Sequence, residues 1–185
     1  MREKHVDYLK DLPINIRLGN IKECPIGWQD SIAIFFVLRG SIRLGIETGV
    51  YPIGERQIEI VNTNESYWIK SDDGDNLVLI INIDPNFFAR YYNDAKEVFF
   101  YTDSSNQEVQ ESQEYQVLRQ QLSILLFEVI YKIDDYEDMV KENLLEMMYH
   151  LLNNFHYLYY EGENLEEDEV QLERYHRIVK YLSNN

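Results

Sequence analysis

The polar side chains best suited to bind a ligand lie in one segment, residues 26–42, which reads IGWQDSIAIFFVLRGSI. Its β-branched and aromatic residues predict a strand with apolar groups on both faces, as in a strand packed between two layers. Alternation leaves one face wholly apolar and places Gln29 and Arg39 together on the other. Because an unpaired guanidinium is costly to bury, we expect the Arg39 face to line a polar cavity that can hold a ligand.

Other side chains with chemical potential do not form a recognisable site. Cys24 is the single cysteine, which excludes an internal disulfide or a thiolate zinc cluster and favours a reducing compartment. His150 and His156 lack the i, i+4 spacing of a helical metal pair, and His5 and His176 lie near the ends. The sequence contains no nucleophile elbow, phosphate-binding loop or dinucleotide fingerprint. We therefore expect no catalytic residues and no enzymatic activity.

The formal net charge of −16 limits the kinds of molecule that this chain can bind. An acidic surface repels phosphate backbones, so residues 1–185 are not expected to bind DNA by themselves. The N-terminus, MREKHVDYLKD, is too charged for a signal peptide, and the longest apolar runs are too short to span a bilayer. We expect a soluble, cytoplasmic protein that does not contact a membrane.

Short apolar segments separated by turn-forming residues continue to about residue 101 and are typical of an all-β sandwich or barrel. The predicted strands are residues 14–23, 31–39, 41–48, 57–61, 66–71 and 77–83. Residues 72–75 (DDGD) predict a tight hairpin turn; their carboxylates could alternatively bind calcium, but the spacing does not fit an EF-hand loop. Residues 86–92 predict one or two helical turns.

After a polar segment at residues 101–111, the hydrophobic pattern becomes helical. Two apolar stripes predict an antiparallel helical hairpin, with its turn at residues 134–138. One face can cover the β-domain while another meets a second copy, and the alternative is that all of these residues are intrachain core. We expect a homodimer, with an interface formed by Leu118, Leu122, Leu125 and Val129. Residues 164–185 predict a further helix that ends as though the chain continues.

Several motifs follow one another along the chain. They are residues 27–40, residues 57–67, the Asp-Pro-Asn-Phe-Phe sequence at 84–88, the helical hairpin, and RYHRIVKYLSNN at 174–185. Their order and spacing resemble the N-terminal cupin domain of the arabinose-regulator (AraC) family of transcription factors, over nearly the whole chain. The first two segments correspond to the two cupin motifs of that family.

The resemblance implies a mainly β plus α fold in three parts. Residues 1–101 would form a cupin-type antiparallel β-barrel, residues 102–163 a dimerising antiparallel helical hairpin, and residues 164–185 a C-terminal linker helix. The helix-turn-helix units of the family, which read DNA, would lie beyond residue 185.

The positions that hold a metal ion in metal cupins carry other residues here. The His, His, Glu and His ligands of those motifs are replaced by Gly27, Gln29, Ala33 and Tyr67. Gly and Ala offer no side-chain donor, and Gln and Tyr are poor ligands for zinc, iron or manganese. We therefore expect no metal and no cofactor.

The resemblance also implies the ligand contacts. The arabinose-binding member has a sugar-contacting arginine just before the equivalent glycine, and Arg39 matches that position. The expected ligand-binding residues, for a sugar or a carboxylate, are Arg39, Gln29, Tyr67, Trp28 and Trp68. Simple alternation turns both tryptophans outward, and a β-bulge would reverse this. For Arg39 the alternative is a structural ion pair with Glu47 or Glu59.

Together these features predict the effector-sensing and dimerisation domain of a bacterial AraC-type transcription regulator, with DNA bound through residues beyond 185. One alternative is a ligand-free dimerisation module whose barrel is filled by side chains. A second is a metal-independent cupin enzyme in which Tyr67 acts as a general acid or base.

Overall fold

Two facing β-sheets form the first part of the computed structural model, which describes residues 2–46, 49–71, 74–91 and 97–160. The strands are β1 (Arg2–Glu3), β2 (Ile14–Gly19), β3 (Glu23–Trp28), β4 (Ile32–Arg39), β5 (Ile42–Ile46), β6 (Gly49–Ile53), β7 (Ile58–Val61), β8 (Tyr67–Lys70) and β9 (Leu77–Ile83). One sheet has the order β1-β3-β8-β5-β6 and the other the order β2-β9-β4-β7. All pairs are antiparallel except β1–β3.

Strand β4 is buried on both faces, as the sequence predicts. Ala33, Phe35 and Val37 pack into the core between the two sheets. Ile34 and Phe36 point to the opposite side and pack in a second core with the helices. The run of apolar residues without polar alternation reflects this position between two apolar layers.

The second core lies between the four-stranded sheet and a pair of long helices. After β9 come α1 (Pro85–Ala89), β10 (Glu97–Tyr101), α2 (Gln107–Gln110), α3 (Gln113–Tyr131), α4 (Tyr136–Asn154) and β11 (His156–Tyr160). The predicted helical hairpin is confirmed as α3 and α4, which pack against each other in this core. Their apolar stripes pack with the outward-facing residues of β4, β7 and β9.

The leucines expected at a dimer interface lie inside the chain instead. Leu118, Leu122 and Leu125 are each 0% exposed and belong to the core beneath α3, and Val129 packs partly buried against the same core. These four positions therefore correspond to the intrachain alternative. The large apolar side chains that α3 and the following turn do expose are Phe127 (46%), Ile130 (58%), Tyr131 (65%) and Ile133 (56%).

Side-chain amides and a hydroxyl attach the helical region to the edge of the four-stranded sheet at β7. The Gln110 side chain accepts from the backbone N–H of Ile58 at 2.9 Å and donates to its carbonyl at 3.0 Å, as a neighbouring strand would. Thr102 Oγ1 accepts from the Ile60 N–H at 3.0 Å. Side chains thus satisfy backbone groups that an open edge strand would leave unpaired.

Several features differ from the sequence-based expectation. The expected barrel is two sheets in the described residues, the predicted strand at 14–23 is divided into β2 and β3, and the β10–β11 pair was not predicted. The expected linker helix at 164–185 lies outside the described residues, as do Asp72 and Asp73 of the predicted turn. Within the described ranges, no helix has both the length and the apolar character required to cross a bilayer.

Candidate ligand-binding site

A cavity of about 280 Å³ opens between the two sheets beside the β2–β3 connection. Its inner wall is apolar and aromatic and consists of Phe35, Tyr67, Ile69 and Ile80. Its rim is polar and consists of Arg17, Asn20, Lys22 and Glu23, with Ile21 and Cys24 beside them. The cavity therefore combines an apolar inner wall with charged groups at its opening, which is the usual composition of a small-molecule site.

The inner wall is fixed by tight packing. Tyr67 is 2% exposed and Phe35 is fully buried. Their rings meet edge to face, with centroids 5.6 Å apart and planes inclined at 65°. Edge-to-face packing is a favourable arrangement for aromatic pairs, so the two rings form a rigid, buried base of the cavity.

Tyr67 and Gln29, two of the predicted site residues, are brought together by the fold. The Tyr67 hydroxyl donates to Gln29 Oε1 at 2.9 Å, although 38 residues separate them. Gln29 is 1% exposed, and its Nε2 has no hydrogen-bond partner among the described residues. The fold thus joins these two side chains as a buried amide–phenol pair. Burial raises the pKa of the Tyr67 hydroxyl, so this group remains protonated at neutral pH.

Lys4 covers the other side of Tyr67, a contact that sequence reasoning missed. Its Nζ donates to the Tyr67 carbonyl at 2.8 Å and lies 3.3 Å from the centroid of the Tyr67 ring. Burial lowers the pKa of the Lys4 ammonium, and the neighbouring Cys24 partly opposes that shift. Lys4 and Tyr67 are 63 positions apart in the sequence, so no local sequence pattern could reveal this contact.

Arg39 lies outside the cavity. A register irregularity between Val37 and Arg39 in the β4–β9 pairing interrupts the alternation at the end of β4. The Arg39 side chain is exposed and forms an ion pair with Asp75 Oδ1 at 2.9 Å. The structure thus places Arg39 in a surface ion pair, in line with the alternative, but the partner is Asp75 and not Glu59. The other expected partner, Glu47, lies outside the described residues.

The guanidinium at the cavity belongs to Arg17. In the β2–β9 register Arg17 lies opposite Ile80, whose side chain faces the core between the sheets. Within the described chain its hydrogen bond is a long one, 3.4 Å from Nη2 to Asn82 Oδ1. Arg17 is exposed at the mouth of the cavity. Strand alternation in β2 could have predicted that it lies on the cavity side of the sheet, had the register of β2 against β9 been known.

Neither tryptophan lines the cavity. Trp68 is on the outer face of the five-stranded sheet, where its indole covers Gly45; a Cβ at Gly45 would collide with the indole ring. Trp28 is half-buried at the end of β3. Simple alternation therefore predicts the outward orientation of Trp68 correctly, and this orientation places the indole away from the cavity lining.

The potential metal donors of the described residues are dispersed. No three His, Cys, Asp or Glu side chains within these ranges are arranged so that they could hold a metal ion. Cys24 is a partly buried free thiol at the cavity rim. The groups at the cavity itself are suited to ion pairing, hydrogen bonding and apolar contact with a bound molecule.

A fully buried carboxylate lies away from the cavity lining, where β7 meets the helical region. Glu59 accepts a hydrogen bond from the Thr102 hydroxyl and another, at 2.9 Å, from the Ser104 N–H. Burial raises the pKa of Glu59 to about 7, although these hydrogen bonds favour the ionised form. The sequence shows an ordinary strand glutamate at this position, so only the tertiary structure identifies it as unusual.

The architecture is an antiparallel two-sheet fold backed by helices, and comparisons with known proteins find partial similarities to it. No protein-family model and no curated protein sequence matches the chain. Among solved structures, a Streptococcus pyogenes protein of unknown function is 14% identical, over 40% of this chain and 66% of its own length, with a TM-score of 0.37.

Two further solved structures have cupin or enzyme descriptions. A cupin-2 domain protein from Shewanella frigidimarina is 11% identical over 42% of this chain and 74% of its own length, with a TM-score of 0.37. Oxalate decarboxylase from Bacillus subtilis is 16% identical over 40% of this chain and 22% of its own length, also with a TM-score of 0.37.

Proposed function

We propose that this chain is the small-molecule-sensing and self-association part of a bacterial, cytoplasmic transcription regulator of the arabinose-regulator type. In this proposal DNA is bound by residues beyond 185. The motif order described above supports the class of regulator. The cavity between the sheets is the observation that supports the sensing role. One strand, β4, contributes both to the cavity wall and to the sheet on which the helices pack.

That shared strand provides a physical route from ligand to helices. Phe35 contributes to the cavity wall, whereas its neighbours Ile34 and Phe36 pack in the core beneath α3 and α4. A ligand that repositions Phe35 therefore acts on the strand that supports the helical pair. To shift an equilibrium between two helix arrangements, the ligand must bind one of them better than the other.

The surface that we assign to self-association is the exposed apolar end of α3. Phe127, Ile130 and Tyr131 lie on adjacent positions of the last turns, and the rings of Phe127 and Tyr131 are 4.5 Å apart. Clustered exposed apolar side chains at the end of a helix commonly mark protein interfaces. We assign a second copy of this chain as the partner that covers this surface, because the resemblance to the arabinose-regulator family implies a dimerising helical hairpin.

Native mass spectrometry of freshly purified protein tests the sensing role. We expect the spectrum to show a retained small molecule. If none is retained, we expect a thermal-shift panel to find a metabolite that raises the unfolding midpoint and that changes the proportion of dimer in the mass spectrum. A dimer that carries no molecule and responds to no metabolite would instead support the ligand-free dimerisation module. The complete burial of Ala33, Phe35 and Val37 between the sheets makes that module the second candidate.

Sedimentation velocity tests the self-association surface. Ile130→Asp places a charge in the exposed apolar cluster and is expected to shift the protein to monomer. Val50→Asp is the matched control, because Val50 is similarly exposed (54%) but lies on β6, away from the helices. A wild-type monomer, or equal dissociation by both variants, would contradict the assignment.

A further inference from the structure

We propose that the cavity ligand is a small organic monocarboxylate with a short apolar body, and not a sugar. This inference rests on the proposed sensing role and specifies its ligand class. It combines the charge of the cavity rim, the polarity of its wall and its volume.

The rim charge is the first observation. The cavity lining contains two basic residues, Arg17 and Lys22, and one acidic residue, Glu23. It therefore carries one net positive charge, in a chain whose formal net charge is −16. Neither Arg17 nor Lys22 has an ion-pair partner among the described residues, and the hydrogen bond from Arg17 to Asn82 is 3.4 Å long. A guanidinium with most of its donors available matches the two oxygens of a carboxylate.

The wall is the second observation. Phe35, Ile69 and Ile80 offer no hydrogen-bonding groups, and the Tyr67 hydroxyl already donates to Gln29. A sugar would place several hydroxyls against this wall, and each hydroxyl left without a partner would weaken binding. An alkyl or phenyl group loses nothing there and gains by leaving water.

The volume is the third observation. A cavity of about 280 Å³ lies at the lower end of the range of small-molecule sites, about 300–1,000 Å³, and therefore favours a small ligand. A six-carbon branched acid or phenylacetate fits this size. A single net positive charge at the rim also matches a monoanion better than a doubly charged phosphate ester.

The test uses matched sets with one carbon skeleton and different head groups. The probes are phenylacetate, phenylacetamide and 2-phenylethanol, together with 4-methylpentanoate, its amide and its alcohol. Each is titrated to about 10 mM, because ligands of this size commonly bind with dissociation constants up to the millimolar range. Binding is followed by backbone amide chemical shifts. We expect each acid to bind at least about tenfold more tightly than its neutral partners, with shifts centred on Phe35, Tyr67 and Ile69.

Variants assign that preference to the rim. Arg17→Gln and Lys22→Gln change exposed side chains, so both should fold, and each is expected to reduce the preference for the acid. Arg39→Gln is the matched control, because it removes an exposed guanidinium that pairs with Asp75 outside the cavity. It should leave the preference unchanged.

Three results would overturn the ligand class: no acid binds, the neutral partners bind as well as the acids, or Arg17→Gln keeps the full preference. Failure of the sensing role would be distinguishable. Equal binding of neutral probes at the same amides, or a neutral molecule retained in native mass spectrometry, would reject the carboxylate and leave the sensor. Absence of any retained or stabilising molecule would reject both.

Discussion

Replacement of Glu59 by Gln should change the pH dependence of stability, because the Glu59 carboxyl is buried without a positive partner among its described contacts. The Glu59 carboxyl is fully buried, and its pKa rises from 4.5 to about 7 because burial disfavours the charged form. Its described contacts, the Thr102 hydroxyl and the Ser104 N–H, supply hydrogen bonds but no positive charge. The nearby Asp103 raises the pKa further.

The sign and size of the effect follow from the two pKa values. A carboxyl whose pKa is higher in the folded state contributes its full stabilisation below pH 4.5 and loses it as the pH rises through about 7. The whole loss is on the order of 3 kcal/mol, and most of it falls between pH 5 and pH 8. Glu59→Gln abolishes this titration.

The assay is urea unfolding of wild type and Glu59→Gln at pH 5 and pH 8. Many other carboxylates titrate in this range, so the quantity compared is the difference between variant and wild type at each pH. We expect the variant to gain roughly 2–3 kcal/mol relative to wild type between pH 5 and pH 8. Glu108→Gln is the matched control, because Glu108 is an exposed carboxylate on the neighbouring helix α2. If the two variants show the same pH dependence, Glu59 is not a buried group that titrates near neutral pH.

Three further predictions concern packing, the buried amide and nucleic acid. Gly45→Ala should destabilise the fold by about 1–3 kcal/mol in urea unfolding because its methyl group would collide with Trp68, whereas Gly19→Ala, with no atom within 4 Å of the added Cβ, should not. Tyr67→Phe should cost about 1–3 kcal/mol because it leaves the Gln29 amide buried with neither end paired; an unchanged unfolding midpoint would argue against the hydrogen bond. Residues 1–185, with a formal net charge of −16, should give no nanomolar mobility shift with a random DNA duplex at ordinary salt.

The division of the chain into a β part and a helical part could be predicted from local sequence. Strand β4 combines β-branched residues with an uninterrupted apolar run, and the stripes of α3 and α4 repeat at helical spacing. The outward orientation of Trp68 also followed from strand alternation alone. These features depend on neighbours in the chain, which the sequence displays directly.

The site depended on contacts that the sequence does not display. Alternation places Arg39 inside, but a register irregularity at the end of β4 turns it to the surface, and the register of β2 against β9 brings Arg17 to the cavity instead. A shift of one residue moves a side chain to the other face of a sheet, so small register changes decide which arginine faces a ligand.

The sequence by itself determined the strand at β4, its two-sided burial and the pairing of two helices, because each is encoded in local periodicity. Only the tertiary structure decided that Leu118 and its neighbours are intrachain core, that Lys4 covers Tyr67 and that Glu59 is fully buried. Each of those facts joins residues distant in the chain. Burial and the pKa values that follow from it are properties of the assembled fold.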